Sequence, residues 1–130
     1  MKNDAINPSY YKGSAAKYEV IDLIEKCRLP FHLGNALKYV IRAGKKHDRV
    51  KEDLQKAKWY IRRFIDQRIP RPMSRLSPEV IRLTVEAFDL SDTQVDIVKC
   101  ITNGRQYTNR YRNLRTAVEL IDLWSKELDK

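Results

Sequence analysis

Apolar residues recur every three to four positions along most of this chain and never alternate with polar ones long enough to suggest a strand. That spacing predicts helices throughout. At about 100° per residue, Leu33, Ala36, Leu37, Val40 and Ile41 fall on one side of a helix, while Asn35, Lys38, Tyr39, Arg42 and Lys46 gather on the other. Beyond Gly44, Val50, Leu54, Ala57, Ile61 and Phe64 or Ile65 repeat the pattern, leaving Glu52, Asp53, Lys56, Tyr60 and Arg63 on the opposite face. The two polar rows would face each other across a hairpin, around a shared site for phosphate.

A shorter helix is predicted ahead of these, near residues 18–28. It ends at Leu29-Pro30-Phe31, because the residue before a proline is pushed away from helical angles. Gly44 closes the Asn35-bearing helix, and Asp48 is placed to cap the next, which continues to about Gln67. Ser77-Pro78-Glu79 has the form of a helix start, with Ser77 as cap and Pro78 in the first helical position. The second half then reads as helices over roughly 78–89, 93–102 and 110–128. The economical architecture is an all-α, compact bundle of about six helices. Its expected parts are an N-terminal arm (1–17), a helical unit (18–67), a linker holding Pro70 and Pro72 (68–76) and a second helical unit (77–130).

The second half echoes the first. At an offset of about 60 residues, Glu19-Val20-Ile21 matches Glu79-Val80-Ile81, Gly44-Lys45 matches Gly104-Arg105, and Leu54, Ala57 and Ile61 match Leu114, Ala117 and Ile121. Between these blocks the register slips by one, pairing Leu29 with Leu90 and Lys38 with Lys99. The echo reads either as two related three-helix halves or as chance agreement between helical repeats.

The 130 residues suit one domain with a packed core. No run approaches the ~20 apolar residues a bilayer requires, and the polar start MKNDAINPSYYKG lacks a signal peptide's apolar segment. A cytoplasmic protein without membrane contact is expected. Cys27 and Cys100 are isolated, with no zinc-finger spacing, and read as reduced, packed thiols rather than metal ligands. Lys and Arg outnumber Asp and Glu by 26 to 17, a formal charge of +9 that favours anionic partners. Proteins of this size and class also commonly form homo-oligomers.

Phosphate chemistry is the candidate that uses this charge. No GxxxxGK[ST] segment is present, so an ordinary P-loop is excluded. Lys38, Arg42, Lys45 and Lys46 supply positive charge; Arg42 is suited to grip phosphate oxygens bidentately, Asn35 to hydrogen-bond base or phosphate, and Tyr11 or Tyr39 to stack on a base. Asp53 is either a general base or indirect magnesium ligand, or the ion-pair partner of a neighbouring cation. Lys56 either reaches the same site or pairs with Glu52. Glu19 either neutralises a basic site residue or orients the arm, and His32 and His47 read as solvated or capping. In the second half, Arg105, Arg110, Arg112 and Arg115 interleave with Tyr107 and Tyr111, a composition that fits nucleic acid.

Several of these residues also form a recognisable set. Pro8 and Tyr11 in NPSYYKG, Glu19-Val-Ile-Asp, Gly34-Asn35 with Lys38-Tyr39 and Arg42, Lys45 or Lys46, and Glu52-Asp53-Leu54 with Lys56-Ala57 and Tyr60 resemble a phage nucleotide-kinase-like family. That family is typified by a deoxynucleoside monophosphate kinase without a Walker loop, and the resemblance spans about residues 7–63. It implies a phage protein in the host cytoplasm that binds nucleotides, with a nucleoside triphosphate as phosphate donor and the need for magnesium left open. Asp53 and Arg42 are then the candidate catalytic pair. Tyr11, Glu19, Asn35, Lys38, Tyr39, Lys45, Lys46 and Lys56 are the candidate substrate-binding residues. The chain departs from the family in carrying Asn7 and Tyr10 where an HPxHY segment would place two histidines. Two alternatives to catalysis follow: a protein that sequesters nucleotides in host-defence evasion, or a nucleic-acid-binding protein.

Overall fold

The segments that the sequence marks as amphipathic are helical in the computed structural model, which describes residues 18–45, 48–68, 77–102 and 107–130. Among the described residues there are six helices and no strand: α1 (Val20–Lys26), α2 (Phe31–Ala43), α3 (Val50–Asp66), α4 (Pro78–Phe88), α5 (Asp92–Thr102) and α6 (Tyr107–Glu127). The expected arm, and all but the first residue of the expected linker, lie outside the described residues.

α2 and α3 form one antiparallel hairpin and α5 and α6 a second; α3 packs along α6 and α2 against α5. The apolar stripes meet between them. Leu33, Leu37, Val40, Leu54, Ile61, Phe64, Ile97, Ile101, Leu114 and Ile121 are essentially inaccessible, and each such aliphatic side chain contributes about 1.5–3 kcal/mol by leaving water. Lys58 bonds Asp122 at 2.8 Å, and Lys51 pairs with Asp129, across the antiparallel α3 and α6. Gly34 lets α1 close on α2, since a Cβ there would lie 3.3 Å from the Ile24 Cγ2.

The two halves share more than a pattern of letters. α1 ends through Arg28 at φ 52° and α4 through Asp89 at φ 53°, both left-handed. In each case the following leucine turns its amide back five residues, Leu29 to Ile24 at 3.1 Å and Leu90 to Val85 at 3.2 Å, which is the closing bond of a Schellman motif. Arg28 and Asp89 correspond in the same shifted register as Leu29 and Leu90. That register also pairs buried positions of α2 with buried positions of α5: Ala36 with Ile97, Leu37 with Val98 and Val40 with Ile101.

Three local expectations are revised. The first helix is shorter than residues 18–28, because Arg28 leaves the helical region and Tyr18 instead lies buried, its hydroxyl 3.2 Å from the Thr84 Oγ1 and its ring centroid 5.7 Å from that of Phe88. Asp48 does not cap α3. The cap position is Arg49, which makes no side-chain capping bond, and the start of the helix is served by the first-turn carboxylates Glu52 and Asp53, whose charge complements the positive end of the helix dipole. His32 is half-buried rather than fully solvated, with its ring centroid 5.8 Å from that of Phe31.

Candidate functional site

The solvent side of the α2–α3 hairpin holds most of the residues the sequence singles out. Helical spacing alone brings Asn35, Tyr39 and Arg42 into line on α2, and Asp53, Lys56, Tyr60 and Arg63 into line on α3. Because the helices run antiparallel, Arg42 and Tyr39 on α2 each meet partners on α3. At one end the Arg42 Nε lies 3.5 Å from the Asp53 Oδ2. The Arg42 side chain is 52% exposed and that of Asp53 only 3%, so a nearly buried carboxylate lies beneath a half-exposed guanidinium.

Midway along, the ring of Tyr39 is the focus. The Lys38 and Lys56 ammonium groups sit 5.2 and 5.5 Å from its centroid, within cation–π range. Tyr60 lies nearly parallel to it, with centroids 6.2 Å apart and planes inclined by 12°. Lys56 also stands 3.7 Å from Glu52 one turn earlier, so the same ammonium lies near both the Tyr39 ring and a carboxylate. Asn35 is half-buried on the same face.

Toward the start of α2 the face becomes aromatic. Phe31, His32 and Trp59 surround Tyr60 at centroid distances of 6.1, 6.2 and 5.1 Å, each ring steeply inclined to it. Phe31 and Trp59 are among the most exposed large hydrophobics of the described residues. Sequence reasoning did not propose either as a site residue. A signal was present, since both are large rings lying off the apolar stripes of their helices.

The remaining candidates are more dispersed. Lys45 is exposed just past the end of α2, near the Arg42 end of the face. Glu19 occupies the cap position of α1, where its backbone N–H donates to the Asp22 Oδ2 at 2.8 Å. Tyr11, Lys46, His47 and Arg105, together with the side chain of Arg110, lie outside the described residues, and Arg112 is exposed on α6.

The two rows do not face each other around a cavity: α2 and α3 pack through their apolar stripes, so the polar rows lie side by side as an open shelf. A small, partly open cavity of about 10 Å³ lies elsewhere, between α4 and α5, among Ile81, Thr84, Val85, Leu90, Val95, Val98 and Lys99, and is too small and apolar to hold an ordered water well. Among the described residues no group of three or more His, Cys, Asp or Glu is placed to hold a metal, and no helix is long and apolar enough to cross a membrane. Cys27 is buried and Cys100 half-buried; burial, with Asp96 adding to it, pushes the Cys100 thiol up and away from the reactive thiolate.

Chemically, the shelf offers a guanidinium oriented by a carboxylate, two ammonium groups and flat rings. Groups of these kinds are chemically suited to anions that carry an aromatic part. A family model described as a protein of unknown function, DUF3310, matches residues 6–62, the segment holding α1, α2 and most of α3. No curated protein and no solved structure matches the chain.

Proposed function

We propose that the α2–α3 face binds a nucleotide, with the base against the Tyr39–Tyr60 pair and the phosphate oxygens on Lys38, Lys56 and Arg42. The observation that carries this reading is the convergence of two ammonium groups on a tyrosine ring that is itself aligned with a second ring. Phosphate binding alone would need the cations and not the rings, whereas a nucleotide uses both. Asp53 fixes the Arg42 guanidinium, so that its remaining N–H donors are presented to solvent in a set direction. Asn35 adds a hydrogen-bonding group on the same face, and Lys45 a further cation at the phosphate end.

The resemblance to the phage nucleotide-kinase-like family extends the proposal to phosphoryl transfer from a nucleoside triphosphate to a nucleoside monophosphate, in the host cytoplasm and in a homo-oligomer. Such transfer depends mainly on positioning and on positive charge around the moving group. Arg42 is the group best placed to supply that charge, with Asp53 orienting it. Asn7 and Tyr10, in place of two histidines, favour a second reading in which the bound nucleotide is sequestered without turnover.

Thermal shift with a panel of nucleoside mono-, di- and triphosphates tests binding, since saturation at about 100 times Kd stabilises the fold by about 2.7 kcal/mol. Incubation with ATP, magnesium and each monophosphate, followed by product separation, tests transfer. Binding with formation of a diphosphate supports the kinase reading, and binding without product supports sequestration. A panel in which no nucleotide shifts the melting temperature overturns the proposal.

A further inference from the structure

The aromatic surface extends beyond the rings a single nucleotide would use. Phe31 is 71% exposed and Trp59 57% exposed, and both stand edge-on to Tyr60. Rings of this size left in water at one place are informative, because folding ordinarily removes them. From Phe31 to Arg42 the shelf follows α2 for about 16 Å at 1.5 Å per residue, which is about four or five nucleotide steps at ~3.4 Å each. Lone mononucleotides do not fill such a length.

Charge along the shelf is mainly positive, with Glu52 the exposed carboxylate among its cations. Lys38, Lys56, Arg42 and Arg63 are exposed, whereas Asp53 is buried beneath Arg42 and Glu52 is held by Lys56. An open row of rings interleaved with cations suits a polyanion whose flat groups are free to stack. Base faces are free in a single strand and covered by their neighbours in a duplex. We infer that the α2–α3 shelf binds a short single-stranded nucleic acid, with Phe31 and Trp59 stacking bases beyond the one placed at Tyr39. This rests on the nucleotide reading for the chemistry at Tyr39, Lys38 and Lys56, and adds the ring cluster around Tyr60 as a second part of the site.

The test measures, on the full chain, binding of the four deoxynucleoside monophosphates, of a mixed-sequence single strand of about eight nucleotides, and of a hairpin duplex of similar charge. The single strand is expected to bind at least about tenfold more tightly than any monophosphate and more tightly than the duplex, with affinity falling steeply as salt rises. The double variant Phe31→Ala/Trp59→Ala is expected to lose about tenfold or more for the strand while keeping its monophosphate affinity, since a stacked base contributes about 1–3 kcal/mol. Both rings are largely exposed, so folding should survive; circular dichroism verifies it, and Trp59→Phe should restore most of the loss from Trp59→Ala.

Monophosphate binding with no gain for the strand overturns this inference and leaves the nucleotide site standing. No binding of monophosphates or strand overturns both. Strand affinity unchanged in the double variant also overturns it, and if sedimentation then shows lost self-association, the rings form an interface between copies of the chain.

Discussion

The carboxamide of Gln94 lies against Gly44, occupying the space a Cβ at residue 44 would fill. Its Nε2 donates to the carbonyls of Val40 at 3.0 Å and Ile41 at 3.3 Å, in the last turn of α2. The Gly44 amide bonds Ile41 at 3.2 Å in a tightened turn, which leaves the Val40 carbonyl for the glutamine. At the other end of the same side chain, the Gln94 Oε1 accepts from the Ser91 N–H at 2.9 Å, and the Ser91 Oγ accepts from the Gln94 N–H at 3.2 Å. One glutamine therefore completes the capping box of α5 and closes the helix that carries Arg42. Gly44 is required for space rather than for its backbone angle, since its φ of −73° is ordinary.

Gly44→Ala is expected to destabilise the fold by about 1–3 kcal/mol, because the added methyl displaces a buried, hydrogen-bonded carboxamide. Gln94→Ala should cost a similar amount, as it removes the donor that serves the two α2 carbonyls. In the Gln94→Ala background the alanine at 44 meets no overlap and should cost less than it does alone. Urea denaturation of the four proteins in a double-mutant cycle measures this coupling, and strict additivity would refute the contact.

Arg42→Ala should weaken nucleotide binding and also lower stability, while leaving the protein folded. The nearly buried Asp53 carboxylate loses the guanidinium facing it, at about 1–3 kcal/mol, toward the lower value because Arg42 is half-exposed. Adding Asp53→Asn should return part of that stability without returning the affinity. Denaturation midpoints compared with nucleotide affinity across the three variants separate the two effects; a stability unchanged by Arg42→Ala would remove the pair from this account.

Much of the fold is legible from local rules. Ser77 caps α4 as expected, its Oγ accepting from the Val80 N–H at 3.2 Å, and the apolar stripes of α2 and α3 are the ones that become buried. What stayed hidden depends on partners distant in sequence or on unfavoured backbone. Arg28 and Asp89 take left-handed conformations usually left to glycine, so no residue type announces those helix ends. Gln94 reads as a surface residue until α2 brings carbonyls from more than fifty positions away. The grouping of Asn35, Lys38, Tyr39 and Arg42 follows from helical periodicity, but the ring cluster at Tyr60 needs the hairpin register to place Phe31 beside α3.

Alkaline pH should weaken the fold before the basic side chains titrate. Burial pushes the Tyr18 hydroxyl above its ordinary 10.0, partly offset by its hydrogen bond with Thr84, and burial pushes the Cys100 thiol above its ordinary 9.0. Each acid holds its proton more tightly folded than unfolded, so its contribution is complete below the ordinary value and is lost as pH climbs through the raised one. Stability is expected to decline from about pH 9 upward. Cys100→Ala should flatten the first part of that decline and Tyr18→Phe the later part, read as urea midpoints against pH. A profile that both variants leave unaltered would exclude these groups as its cause.

Each chain should bind one nucleotide at the tyrosine site, although its two halves correspond. In the shifted register Lys38 matches Lys99, but Tyr39 matches Cys100; with α3 laid on α6, Asp53 matches Asn113, Lys56 matches Thr116 and Tyr60 matches Leu120. The second face thus keeps one ammonium and loses both rings, the second ammonium and the carboxylate that orients the arginine. Its buried positions remain, as Leu114, Ala117 and Ile121 show, so packing is retained where the binding chemistry is not. Isothermal titration with a mononucleotide that shifts the melting temperature should give one equivalent per chain, reduced in affinity by Tyr39→Ala and untouched by Lys99→Ala. A second equivalent, or a dependence on Lys99, would show that α5 and α6 carry a site of their own.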